Sequence, residues 1–192
     1  VDPVETGCRE LELLGIAVSL DAATEKSFDI LRLRGRNASW DTVLDNLDWL
    51  NDLNQRKPFK FSISMTLNSV NFDEIERFVD LGIKYGAEPD ILLVANPDQT
   101  TSFQKEFLKF SEEQFVTMFE QIDRSVAKVK EANFTDADTS LSILKSTLQN
   151  HRQSDNNLTV YKAKNYARST LRRLPESLQD PIRGTVNYLR AR

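Results

Sequence analysis

The chain has 192 residues, 40% hydrophobic and 28% charged, with a formal net charge of -4, values typical of one folded domain or a domain with an appendage. No apolar run approaches the roughly 18–20 residues that a membrane-spanning helix needs, and no signal peptide is visible, so we expect a cytoplasmic protein. One cysteine, Cys8, and one histidine, His151, exclude an intramolecular disulfide and argue against a zinc site or iron–sulfur cluster held by this chain alone.

The first strand is predicted over residues 16–20 (IAVSL), a short apolar run bounded by turn residues. Strand alternation places Ser19 and Asp21 on one face, near the carboxyl end of the strand. Ligands of α/β proteins bind at that end, so both side chains are candidate ligand contacts. A role as caps of the next helix would explain the same residue types.

That next helix is predicted over residues 24–33 and leads into a basic cluster of Arg32, Arg34 and Arg36. A guanidinium can hold a carboxylate with two parallel hydrogen bonds, although the helix dipole alone also favours arginines at a helix end. Ser39 then predicts the cap of a second helix over residues 39–55, whose leucines recur at helical spacing.

The clearest strand pattern lies at residues 60–68 (KFSISMTLN), where apolar residues alternate with Ser, Thr and Asn. A parallel strand covered by helices on both faces should be apolar throughout. The polar face therefore indicates the lining of a cavity, with an exposed sheet face as the alternative.

Residues 71–74 (NFDE) resemble a capping box that would open a helix over residues 73–85. Residues 88–90 predict a turn, and residues 91–95 (ILLVA) a third strand that ends at Asn96. Strand, helix, strand, helix, strand in this order predicts an α/β fold with a parallel sheet and helices outside it. Three strands cannot close a barrel, so edges remain to be covered.

After Asn96 the pattern becomes helical and then basic. A capping box at residues 111–114 (SEEQ) opens a long amphipathic helix, and residues 138–150 predict another helix. Residues 1–158 carry 17 basic and 27 acidic side chains, whereas residues 159–192 carry 8 and 2. We therefore divide the chain into residues 1–97 with the strand–helix units, a helical extension at 98–150 and a basic segment at 151–192.

Three segments in this series carry a family resemblance. They are Ser19-Leu20-Asp21 at the end of the first strand, Phe28-Asp29-Ile30-Leu31-Arg32 in the helix, and Asn68 followed by Asn71-Phe72-Asp73-Glu74-Ile75. In order and spacing they resemble the second half of the barrel of radical S-adenosylmethionine enzymes, over about residues 10–96. The resemblance implies a partial, half TIM-like barrel of parallel strand–helix units, followed by a helical C-terminal extension.

The same resemblance implies S-adenosylmethionine and a [4Fe–4S] cluster as cofactors. It places Ser19 and Asp21 near the ribose or amino-acid part of S-adenosylmethionine and Arg32, or a neighbouring arginine, at its carboxylate. It places Asn68 and Asn96 near the adenine. No catalytic residue and no metal ligand is assigned on this chain.

The departures from the family are large. The chain lacks the CxxxCxxC motif that ligates the cluster, and it lacks the Gly-Gly-Glu segment that binds the amino group of the cofactor. Asp21-Ala22 stands where the family commonly has Asp-Gly. We therefore expect a fragment or remnant of such an enzyme, inactive alone, whose partner is a missing N-terminal half-barrel.

A second hypothesis is a non-catalytic half-barrel interaction module that pairs with another protein or with a second copy of itself. The basic segment allows a third reading, because its tyrosines interleave with Lys and Arg as in surfaces that bind RNA or anionic membranes. A solvated tail or a docking segment is the commoner explanation, and no nucleic-acid module accompanies it, so we do not expect nucleic acid as a partner.

Overall fold

The computed structural model describes residues 15–32, 39–93 and 108–171, with side chains described through residue 153. Several predicted features lie outside these ranges: Cys8, Arg34, Arg36 and Asn96. Within them the fold is mixed α/β, with three strands in one parallel sheet and five helices.

The three strands are β1 (Gly15–Ser19), β2 (Lys60–Leu67) and β3 (Glu88–Leu93), and they lie side by side in chain order. Both pairs are parallel, with Ser19 opposite Ser64 and Ser64 opposite Asp90. The predicted parallel sheet is therefore confirmed.

The two faces of β2 differ as the alternation predicted. Phe61, Ile63, Met65 and Leu67 are at most 4% exposed, whereas Ser62, Ser64 and Thr66 are half-buried on the opposite face. The apolar face belongs to a single core cluster that also takes in buried residues from all the helices. This burial is the main source of stability, at about 1.5–3 kcal/mol for each large apolar side chain.

The first two helices are α1 (Glu25–Leu31) and α2 (Trp40–Arg56), and each begins with a hydroxyl cap. Thr24 accepts from the Ser27 N–H, and Ser39 accepts from the Thr42 N–H, which satisfies a helix donor that would otherwise lack a partner. The helices meet where the Phe28 and Trp40 rings pack with centroids 5.5 Å apart.

The third helix, α3 (Ile75–Lys84), does not begin with the predicted capping box. Glu74 is its N-cap residue but makes no cap hydrogen bond with its side chain. The side chains of Asn71 and Glu74 instead bond to groups elsewhere in the fold, which are described with the candidate site. The sequence pattern was correct about a helix start and wrong about the partners.

The predicted turn at residues 88–90 is also wrong, because Glu88, Pro89 and Asp90 form the first half of β3. Pro89 lacks a backbone N–H and is tolerated because β3, among the described residues, pairs with β2 only. The strand thus starts three residues earlier than its apolar run.

The remaining helices are α4 (Glu112–Glu131) and α5 (Thr135–Leu171). α4 opens with the predicted capping box, in which Ser111 and Gln114 bond each other's backbone. α5 begins earlier than predicted, and its start is held by Glu88, whose Oε1 accepts from the Asp136 and Ala137 N–H groups at 2.7 and 3.0 Å. The chain divides into two compact units, Val1–Leu148 and Gln149–Arg192.

Ion pairs join α3 to α4 on the outer surface. The Glu76 carboxylate pairs with Arg124 Nε at 2.7 Å and with Lys128 Nζ at 3.0 Å. Lys128 Nζ also lies 2.6 Å from Asp80 Oδ1. The hydrogen bonds from Arg124 and then from Lys128 lower the pKa of Glu76 below its ordinary value.

In the ranges given above, no helix is long and apolar enough to cross a membrane.

We expect Glu76→Gln to lower the free energy of unfolding by about 1 kcal/mol at neutral pH, as is usual for partly exposed ion pairs. A carboxyl whose pKa is lower in the folded state stabilises the fold above its unfolded pKa, and this contribution is lost as the pH falls through the folded pKa. Urea unfolding at a series of pH values should therefore show the two proteins converging in acid, as the Glu76 carboxyl becomes protonated in the folded state. The control is Glu131→Gln at the exposed C-terminal end of α4, and a difference that persists at low pH would contradict the assignment.

Candidate functional site

The candidate site lies where β1 and β2 end, at the carboxyl edge of the sheet. Asp21 follows β1 with a positive φ of 60°, a conformation in which Asn and Asp are enriched. The Leu20 and Asp21 N–H groups both donate to the Ser64 carbonyl, at 2.9 and 3.2 Å. The chain is thus fixed as it leaves the strand, and the Asp21 side chain is aimed back across the end of the sheet.

Both oxygens of the Asp21 carboxylate have partners. Oδ1 accepts from the Thr66 N–H at 3.0 Å, which ties β1 to the end of β2. Oδ2 accepts from the Ser19 hydroxyl at 3.2 Å and pairs with Arg32 Nη2 at 3.0 Å. Asp21 therefore organises its neighbours, and its acceptor capacity is largely used within the protein.

Arg32 reaches this point from the C-terminal end of α1. Its Nη2 donates to the Ser19 carbonyl and approaches the Ser19 hydroxyl at 3.3 Å, in addition to the Asp21 carboxylate. The side chains of Arg32 and Asp21 are 40% and 26% exposed, so the ion pair remains in contact with water. The three predicted ligand contacts Ser19, Asp21 and Arg32 therefore lie together in the structure.

Asn68 lies at the neighbouring strand end, but its side chain serves the loop. Its Nδ2 donates to the Thr66 carbonyl at 3.0 Å, and its Oδ1 accepts from the Val70 N–H at 2.9 Å. The predicted role of Asn68 beside an adenine would require these bonds to change. Asn96, the other residue assigned to the adenine, lies outside the described residues.

The structure adds Asn71, which is fully buried beneath the site. Its Nδ2 donates to the Asp21 and Thr66 carbonyls at 2.9 and 3.0 Å, and its Oδ1 accepts from the Asn68 N–H at 2.8 Å. One side chain thereby joins the end of β1, the end of β2 and the loop after β2.

Glu74 is the second addition, a carboxylate that is only 5% exposed. It accepts from the Ala23 N–H at 2.8 Å, the Thr24 hydroxyl at 2.5 Å, and the Ser27 hydroxyl at 2.7 and 2.8 Å from its two oxygens. Among the described residues no Lys or Arg forms an ion pair with it, so neutral donors stabilise its charge.

Asn71 and Glu74 were predicted to form a capping box and belong to a segment that carries the family resemblance, but no contact with the site was predicted for them. Their distance of about fifty residues from their partners explains the omission, since local spacing carries no information about which strand end lies opposite. The available signal was their position directly after the predicted second strand, at the edge where Ser19 and Asp21 were expected.

The polar face of the sheet extends from this site across β2 to β3. It carries Ser62, Ser64 and Thr66 of β2, and Asp90 of β3, which accepts from the Ser140 hydroxyl of α5 at 2.6 Å. Beside β3 a cleft of about 420 Å³ lies against α5, with Leu92 and Ile143 exposed in it. None of the candidate residues at the ends of β1 and β2 lines this cleft.

The donor set fits part of the cofactor that the resemblance implies. Arg32 suits a carboxylate, and the Ser19 hydroxyl suits a ribose or amino-acid oxygen. Within the described ranges, no cluster of three or more His, Cys, Asp or Glu side chains is arranged to hold a metal ion. The sequence contains one cysteine, so at least two of the three cluster thiolates would have to come from outside these 192 residues.

Comparison with known proteins returned no matching family model, no matching curated protein and no matching solved structure.

We expect Glu74→Gln to lower the free energy of unfolding by about 2–4 kcal/mol, because the new amide hydrogens face donors and leave buried N–H and O–H groups unpaired. The matched control is Asp73→Asn, an exposed neighbour for which a change within about 0.5 kcal/mol is expected. Chemical denaturation of both variants measures the difference. Equal, small effects would show that the Glu74 network does not hold the site together.

Proposed function

We propose that this chain supplies one wall of the S-adenosylmethionine site of a radical S-adenosylmethionine enzyme, as part of an incomplete TIM-like barrel. Its three strand–helix units would form the later part of that barrel. The cluster and the segments that bind the cofactor's amino group would come from a separate N-terminal half.

The observation that carries the proposal is the grouping of Ser19, Asp21, Arg32 and Asn68 at the carboxyl ends of adjacent parallel strands. These residues belong to three separate segments of the sequence. Ligands of parallel α/β sheets bind at this edge, since loops and helix ends converge there with polar groups.

In this proposal Arg32 binds the carboxylate of the amino-acid part, and Ser19 contacts a neighbouring oxygen. Asp21 and Asn71 orient the two strand ends so that Arg32 and Ser19 face the same side. S-adenosylmethionine would be the precursor of the radical, and the residues of this chain would bind and orient the S-adenosylmethionine.

A second candidate function, an interaction module, is favoured by the open sheet edge. Among the described residues β1 pairs only with β2, so its outer backbone groups are available to another strand. Since Leu20 donates to β2, alternation along the strand directs the Ala17 N–H outward.

The first function is tested by binding of S-adenosylhomocysteine to the 192-residue chain, measured by titration calorimetry. We expect saturable binding that Arg32→Gln weakens by about tenfold or more, because a charge-assisted hydrogen bond contributes about 1.5–3 kcal/mol. Arg56→Gln, at the end of α2 that leads into the start of β2, is the control and should bind as the unchanged chain does. Absence of binding, or an equal loss in both variants, would contradict the proposal.

The interaction module is tested by sedimentation equilibrium at micromolar concentrations. If β1 pairs with a second copy, the chain is a dimer, and Ala17→Pro makes it a monomer by removing the outward N–H. Ala17→Ser retains the N–H and should stay dimeric. A monomeric unchanged chain would eliminate self-pairing.

A further inference from the structure

We propose that the Asp21–Arg32 ion pair is an autoinhibitory contact, in which the Asp21 carboxylate occupies the place on Arg32 that a ligand's carboxylate would take. This inference rests on the proposed function and adds how the ligand gains access to the guanidinium.

The contacts of Arg32 define the competition. Its Nη2 already pairs with Asp21 Oδ2 at 3.0 Å while it also donates to the Ser19 carbonyl. A second carboxylate at the same nitrogen would lie beside Asp21, and the two negative charges would repel each other. An incoming carboxylate that binds Nη2 therefore has to displace Asp21 from this nitrogen.

The two partners are anchored differently, which decides which one moves. Asp21 is held by the Thr66 N–H on Oδ1 and by Asn71 on its carbonyl, and its backbone is fixed at φ 60°. Arg32 projects from the end of α1, is 40% exposed, and retains the Ser19 carbonyl as a second partner. Exchange then consists of a side-chain movement of Arg32, while the strand ends keep their positions.

Exposure makes the exchange inexpensive. An ion pair in contact with water contributes about 0.2–1 kcal/mol, so its loss lowers ligand affinity by only about 1.4- to 5-fold. The contact lowers the affinity of Arg32 for any anion by this modest factor, and it yields to a ligand that other groups also hold in place.

Asp21→Asn separates this role from the structural one. Asn also adopts a positive φ, and its Oδ1 can accept from the Thr66 N–H as Asp21 does. The substitution removes the negative charge that faces Arg32 and retains the turn. Thermal unfolding checks that the variant is folded.

The probe is the des-amino analogue of S-adenosylhomocysteine, which has the carboxylate and lacks the ammonium group. 5′-Methylthioadenosine, which has neither group, is the reference. We expect Asp21→Asn to raise the affinity for the carboxylate probe about two- to fivefold relative to the affinity for the reference, measured on the same protein. Adding Arg32→Gln should abolish the gain.

Equal or weaker binding of the carboxylate probe by Asp21→Asn would overturn the autoinhibitory contact and leave the proposed function standing, provided that the unchanged chain binds. If no variant binds either nucleoside, the proposed function fails. Chemical modification of Arg32 then tests whether Asp21 blocks access to the guanidinium. Phenylglyoxal should modify Arg32 several-fold faster in Asp21→Asn than in the unchanged chain, with acetate slowing the reaction only in the variant. Equal rates, read by peptide mass mapping, would overturn it.

Discussion

The buried carboxylate of Glu74 and the buried amide of Asn71 hold the described α/β unit in register. A strand that ends beneath a helix leaves buried backbone N–H and C=O groups without a strand partner. Since water cannot reach them, each needs a hydrogen-bond partner inside the protein. Asn71 satisfies the carbonyls at the ends of β1 and β2, and Glu74 satisfies the N–H of Ala23 and the hydroxyls at the start of α1. Because both side chains lie just before α3, this helix cannot shift without breaking bonds to two strand ends.

The candidate site depends on that arrangement. Asp21 is placed by its backbone bonds and by Thr66, and it in turn places Arg32 against Ser19. The site is thus a set of polar groups whose bonds are mostly satisfied among themselves, with exposure enough for exchange. This differs from a preformed pocket with free donors, and in the proposed function a ligand's carboxylate would compete with Asp21 for Arg32.

Sequence patterns were reliable where burial is local and unreliable where partners are remote. The alternation in β2, the cap at Ser39 and the capping box at Ser111 appear in the structure as predicted, because each involves residues a few positions apart. The turn predicted at Pro89 is instead an edge strand, since an edge position tolerates the missing N–H. The capping box predicted at Asn71 does not form, because the side chains of Asn71 and Glu74 bond to groups at the ends of β1 and β2 and at the start of α1.

Local sequence patterns are enough to predict the order of strands and helices, the parallel sheet, and the residue types at its carboxyl edge. Periodicity and turn residues carry that information along the chain. The tertiary packing of the strand ends fixes the partners of Asp21 and Arg32, because the Thr66 N–H that donates to Asp21 lies 45 residues away along the chain. It also decided that Arg32 is already paired, a fact that no spacing in the sequence encodes.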